Sequence, residues 1–597
     1  MKNYPKIFRW SLWLLILSGL LASCEPPLEA PTPQAGQADF TRYVALGNSL
    51  TAGYSDGAMY RKVQEASYPA QLAQSMQQVG GAAGFKQPLV PEGNGFGGAS
   101  GRLVLVVTPA GSLAPAATAP DFSVLQPIGS QGPFQNMAVP GAKSFHLLAP
   151  QYSSATEGNP FYARFAAQPG QSSMVGETAA QNPTFVTLWI GNNDILGFAA
   201  SGGESDAITP QQTFDQVMDG ILGTLKSANA NMGGAIANIP DILAAPYFTT
   251  VPWNAFALSA DQAAQTNAAL QQTALTQGRP LVEAGVEAAV RGQIRTGVEA
   301  QARADIRNGV EAQFIETQVR PNVVAGVREQ LIALFISEGD SPEVAAQKAD
   351  FAIQNDPQVL GIIEAETRNA ADSLLALDVV QLQLGQAIDS VFNLPSTQAG
   401  INAAIDSVFN LPETQAAYNA AIEQQLQLLL AQVPTLQEGP NGFLVATNDR
   451  ERFPLGVRQA QAGDLICLPA LSFVTTAEFQ AFPVLPANLL LDTEEQALVN
   501  QARAGYNNKI TDLARQNNWA LVDMDSFFEQ IKRGFYYNGI SYTTNFVTGN
   551  AFSLDGLHLT DRGYALAANR FIEDINRHYN ASLPISNVNQ YLGLEFP

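Results

Sequence analysis

Residues Tyr43–Gly57 read YVALGNSLTAGYSDG. The apolar run Tyr43–Leu46 suits a short buried strand, and it stops abruptly at Gly47-Asn48-Ser49-Leu50, where the chain turns small and polar. Further on, SYPAQLAQSMQQVG (67–80) reads as a helix with Pro69 in its first turn. Ser49 is therefore expected on a strand-to-helix loop. Such loops, at the carboxyl ends of strands in an open α/β sheet, are where ligands meet the protein, and a nearby helix start favours developing negative charge. A serine becomes a nucleophile only with a base in hydrogen-bond reach, a group that orients the base, and donors for the oxyanion.

The base is nearly forced, because the chain has three histidines: His146, His558 and His578. His558 follows Asp555 by three residues in FSLDGLHLTDRGYALAANRF, just before an amphipathic helix expected over 561–579. Asp-x-x-His in one loop can set the carboxylate on one imidazole nitrogen and leave the other for a serine. His578 reads as a favourable charge near a helix C-terminus. His146 reads as a structural histidine that could line the site. Donors are expected at two further places. PTFVTLWIGNNDILG holds a strand, 184–190, ending in Gly191-Asn192-Asn193-Asp194, and NMAVPGAKS places Gly141 in a tight turn where a backbone N–H can approach substrate. The N–H groups of Ser49 and Gly141 with the Asn193 amide would then form an oxyanion hole.

These four blocks, Gly-x-Ser-Leu, a turn glycine, Gly-x-Asn-Asp and Asp-x-x-His, in this order, resemble the SGNH (GDSL) hydrolases. The resemblance implies a flavodoxin-like three-layer α/β/α sheet and hydrolysis of esters, of lipids or of acylated glycans among others, without a cofactor. It implies Ser49 as nucleophile, His558 as base, Asp555 as its orienter, and Ser49, Gly141 and Asn193 as oxyanion donors, with Asn48, Gly191 and Asp194 supporting the loops. One letter departs from the family: the residue before the serine, usually Asp, is Asn48, so activity is expected to be reduced rather than absent. The alternative is a surface protein that kept the fold, lost the chemistry and binds a partner.

At 597 residues the chain exceeds one compact domain, so several domains or one with large insertions are expected. An apolar fraction of 46% and a charged fraction of 14% exclude disorder for most of it. A net charge of -22 would repel a phosphate backbone, which excludes nucleic acid as a partner. Residues 1–23 read as a signal peptide: Lys2, Lys6 and Arg9, then an apolar run from Trp10 to Leu21 too short to span a membrane. Leu21-Ala22-Ser23-Cys24 resembles the lipobox of bacterial lipoproteins. With the C-terminal LPISNVNQYLGLEFP it looks like the large lipoprotein branch of the family, exported and anchored at the outer membrane through lipidated Cys24. Residues 24–39, with four prolines, read as an extended tether. Only Cys467 remains besides Cys24, which leaves no internal disulfide and suits a small buried apolar residue.

The hydrolase core is expected over 40–258 and 491–597, with a helical insertion over 259–432 and a small β-hairpin extension over 433–490. The insertion contains repeats: GVEA recurs at Gly285, Gly297 and Gly309, and AIDSVFNLP spans 387–395 and 404–412. In the latter each Pro would end one helix and sit in the first turn of the next, giving short stacked helices. A lid or partner-binding arm is the functional reading and a decorative duplication the bland one. GNGFGG (93–98) fits Gly-x-Gly-x-x-Gly, but no buried strand precedes it and no helix follows, so it reads as a loop. No His-x-x-x-His, Cys-x-x-Cys or EF-hand spacing is present, so no metal is expected.

Overall fold

The computed structural model describes residues 32–109, 111–450 and 452–597. The signal segment and Cys24 lie outside them. Two compact units emerge, one built from residues up to 262, 437–448 and 456 onward, the other from 263–436 with 449–455.

The first unit is an α/β fold around a parallel sheet. Strands β1 (Tyr43–Gly47), β2 (Phe185–Trp189), β3 (Gly233–Ala237) and β4 (Ala520–Val522) lie side by side in that order. All are parallel, with Leu46 opposite Leu188, and Leu188 opposite Ile236. Every residue of β1 and β2 is buried. That explains their unbroken apolar reading, since a parallel sheet covered on both faces has no solvent side to mark with polar residues. Helices α1 (Ser49–Ala52), α2 (Tyr68–Gln77), α3 (Asn193–Ala200), α4 (Gln211–Ala228), α5 (Thr493–Asn517) and α6 (Asp561–Tyr579) follow in chain order. On one face α2 packs against α6, with the Tyr68 and Phe571 rings stacked at 4.3 Å. Elsewhere α4 packs against α5 through Phe214 and Tyr506, stacked at 4.0 Å.

The edge beside β1 is completed by 135–139. Ala45 N–H donates to Gln135 O, Met137 N–H to Ala45 O and Val139 N–H to Gly47 O. The segment is too short and too close to Pro140 to form a full strand, yet it sits where the second strand of a flavodoxin-like sheet would. The chain thus crosses from β1 to one side and then returns to the other. That reversal opens a crevice at the carboxyl ends of β1 and β2.

Two expectations need correction. The tether reading to residue 39 ends too late, because Gln34 and Gln37 are already bonded to the turn after α6: Gln37 N–H to Tyr579 O at 2.7 Å and Ser582 N–H to Gln34 O at 2.9 Å. The extension over 433–490 is more than a hairpin. Leu444–Ala446 pairs antiparallel with Val457–Gln459 and parallel with Val484–Leu485, while Leu465–Ile466 pairs with Leu490–Leu491; a lone hairpin is marginal in water, and added strands remedy that. The two repeats of the insertion take different helical forms. GVEA lies within one 55-residue helix, Ala260–Phe314, whereas the AIDSVFNLP copies belong to short helices, Asp378–Phe392, Pro395–Phe409 and Pro412–Ala431, the latter two with Pro in the first turn.

In the second unit these two repeats mesh. Arg279, Arg291 and Arg303 pair with Glu423, Asp406 and Asp389 at 3.1, 2.6 and 2.7 Å. The arginines are twelve apart and their partners seventeen, which reveals a third copy, Ala421-Ile422-Glu423, too degenerate to see by eye. Arg291 and Arg303 also lie over the rings of Phe409 and Phe392 at 4.2 and 4.0 Å. Beneath them Ile401 and Ile405 bury against Ile294, Val298 and Ile306. A twelve-residue step advances about 18 Å and turns roughly 120° at the α-helical rate, so successive short helices meet successive sides of the long one.

Within the sheet unit, a Cβ on Gly234 would lie 2.5 Å from the indole of buried Trp519. Gly234→Ala is expected to cost about 1–3 kcal/mol, the range for overpacking a core, and urea unfolding followed by tryptophan fluorescence checks it.

Candidate active site

The crevice at the carboxyl edge gathers the residues singled out in the sequence. Ser49 is the first residue of α1, and Asn48 caps it: the Asn48 side-chain oxygen accepts from Leu50 N–H at 3.1 Å. An aspartate would make the same bond, because either side chain supplies the capping oxygen. Asn48 Nδ2 is buried without a hydrogen-bond partner among the described residues.

His558 lies in the loop before α6, its Nε2 2.8 Å from Ser49 Oγ and its Nδ1 2.9 Å from Asp555 Oδ2. The carboxylate can only accept, so Nδ1 carries the proton and Nε2 is left to accept from the Ser49 hydroxyl. Burial alone would raise the Asp555 pKa. The His558 imidazole and the N–H groups of His558 and Leu557 outweigh it and hold the group well below the ordinary carboxylate range. Asp555 also accepts from Ser553 Oγ at 3.0 Å and from Gly57 N–H at 2.8 Å. The last bond fastens the Ser49 loop to the His558 loop. Tyr54 closes one flank, its ring 4.7 Å from the His558 ring.

The two donor blocks are bound to one another as well. Gly141 has φ +79, a conformation that favours glycine. Its N–H, like that of Ser49, makes no hydrogen bond among the described residues. Asn193, at the start of α3, donates through Nδ2 to Ala142 O at 3.0 Å, and buried Asp194 accepts from both Ser144 N–H and Ser144 Oγ, at 2.8 and 2.7 Å. Gly191, with φ +107, makes the turn that delivers them. Asn193 thus spends one amide hydrogen on the Gly141 turn. Tyr152 and Asn159 lie within about 4 Å of where a Cβ on Gly141 would stand.

The other two histidines sit apart from this relay. His578 Nε2 lies 3.0 Å from Asn518 O. His146 accepts from Lys143 N–H through Nδ1 and stacks on Tyr152 at 4.0 Å. Cys467 is fully buried, and burial pushes its thiol up to about 12. GNGFGG is a loop, tied by a bridge between Phe96 and Met59.

Several residues were missed by sequence reasoning. Asp56 accepts from Leu554 N–H and from Tyr60 O–H, and its own N–H donates to Ser553 Oγ, so it mirrors Asp555 across the two loops. Asp56-Gly57 reads locally as turn chemistry, and no spacing signals partners some 500 residues away. Ser144 carried no signal either.

Serine, imidazole and carboxylate thus meet at the carboxyl edge of a doubly wound sheet. A family model described as GDSL-like Lipase/Acylhydrolase matches residues 43–289, and the chain carries a domain of this SGNH (GDSL) hydrolase family. The match takes in Ser49, Gly141 and Asn193 and ends well before Asp555. No curated protein matches the chain.

Burial, and next the Lys143 charge, push the His146 pKa down to about 4. The unfolded chain would bind this proton nearer pH 6.5, so stability falls as pH drops from there toward 4 and no further loss from this group follows below. His146→Phe is expected to keep the stack on Tyr152 and flatten that slope, measured by urea unfolding at pH 7, 5.5 and 4.

Proposed function

We propose that the protein is a serine esterase that works by acyl transfer through Ser49, His558 and Asp555. The observation that carries this is the 2.8 Å contact between Ser49 Oγ and His558 Nε2, with the far nitrogen engaged by Asp555. Ser49 Oγ attacks the ester carbonyl carbon while His558 takes its proton. The tetrahedral oxyanion is met by Ser49 N–H, Gly141 N–H and the remaining amide hydrogen of Asn193. On collapse the C–O bond breaks and the alcohol leaves with the proton held by His558. Water then gives a proton to His558 and attacks the acyl-serine, releasing the acid and restoring Ser49. Asn48 carries no argument against this chemistry, because its amide oxygen supplies the cap and the charge next to the imidazole comes from Asp555.

Ser49→Ala and His558→Ala are each expected to lower ester hydrolysis by about 10⁴-fold or more. A fluorophosphonate probe should label Ser49 in the parent protein, and an inert Ser49 in folded protein would sink the reading in favour of a binding module.

The lipobox resemblance supports export and lipidation at Cys24, with attachment to the outer membrane. In cells, Cys24→Ser is expected to move the protein from the membrane fraction to the soluble fraction, read by immunoblot.

A further inference from the structure

Neither the core nor the crevice uses the outer end of the hairpin formed by Leu103–Val107 and Leu113–Ala117. Its tip pairs Val107 with Leu113 and Val106 with Ala114. From Leu103 to Pro120 the sequence has no charged residue, eighteen positions in a chain of net charge -22. Val106, Val107 and Leu113 are 36%, 61% and 46% exposed. Neighbouring strand residues point to opposite faces, so Val106 and Val107 present apolar surface on both sides of the ribbon. A protein partner packed on one face would leave the other wet, whereas an apolar medium covers both.

The hairpin is rooted at the crevice. Leu103 N–H donates to Asp56 O at 2.8 Å, and the next residue, Gly57, donates its N–H to Asp555 Oδ2. Leu105 is buried and holds the base, while Val107 stands about 13 Å beyond Leu103 at the rise of a strand. The outer edges of a two-stranded ribbon leave backbone groups unpaired, so they need water or headgroups and allow only shallow insertion. The net negative charge of the chain disfavours anionic surfaces.

We propose that the tip of this hairpin docks on the uncharged apolar surface of aggregated acyl ester, a micelle or a zwitterionic lipid surface, and brings that surface to Ser49. The proposal rests on the ester hydrolysis set out above and names its substrate class as esters presented at an interface.

The test compares the mature chain from residue 24, carrying Cys24→Ser so that no lipid is attached, with the same chain carrying Val107→Asp and Leu113→Asp. On a long-chain p-nitrophenyl ester in micelles the double variant should lose about tenfold or more, while on monomeric p-nitrophenyl butyrate it stays within about twofold. Equal loss on both esters, or none on either, overturns the proposal. If the parent cleaves neither ester, the esterase reading fails by itself and flotation with phosphatidylcholine vesicles decides: the parent floats and the variant does not, whereas equal behaviour overturns the docking role. Sedimentation velocity covers the other occupant. A parent dimer that the two substitutions dissolve would mean that the hairpin edge pairs with a second copy instead.

Discussion

Five hydrogen bonds converge on one carboxylate. Asp555 accepts from Ser553 Oγ and from Leu557, His558 and Gly57 N–H groups, and it holds the His558 ring. A buried carboxylate is costly unless its lone pairs are met, so these donors cannot drift without exposing that cost. Because Gly57 belongs to the loop after β1 and the others to the loop before α6, the two ends of the chain are locked together at this point. The tautomer of His558, its orientation and the position of Ser49 all follow from that lock. Asp56 repeats the device from the opposite loop, accepting from Leu554 and Tyr60.

The second unit meets a different constraint. Helices that share only narrow apolar contacts need register, and here two unequal periods supply it: a twelve-residue step on the long helix and a seventeen-residue step along the short ones. Each exposed ion pair contributes little alone, about 0–1 kcal/mol. Combined with an arginine lying over an aromatic ring and isoleucines beneath, the same rung repeats at a fixed interval, so a slip would break all of them together.

Much of the fold was legible because the relevant signals are local. Buried parallel strands announce themselves as unbroken apolar runs, which is why Tyr43–Leu46 and 184–190 could be read, and the helix over 561–579 has its observed ends because Thr560 caps it and Asn580 closes it in a left-handed turn. Ser49, Asp555, His558, Gly141 and Asn193 were legible through their motifs, and their loops do converge. What stayed hidden depends on partners distant in sequence. The edge segment 135–139 pairs through too few residues to leave a strand pattern. Asp56, Gly57 and Ser144 look like ordinary turn residues until their partners are known. The period of the GVEA repeat says nothing about whether the helix is broken between copies; one helix carries all three, and Pro280 does not break it.

The clamp on the N-terminal segment fixes an orientation. Gln37 is bonded to Tyr579 O, and the Tyr579 hydroxyl reaches Gly234 near the start of β3, so the chain enters where the strands begin. Ser49 and His558 stand where the strands end. The segment from Thr32 to Gln37 therefore meets the sheet at its foot, and under the proposed lipidation the eight residues from Cys24 to Thr32 could span at most about 28 Å. If Cys24 is lipidated and Ser49 acts as proposed, the edge that holds Ser49 would face away from the bilayer that anchors the chain, and would meet esters arriving from the facing side rather than those beneath its own feet.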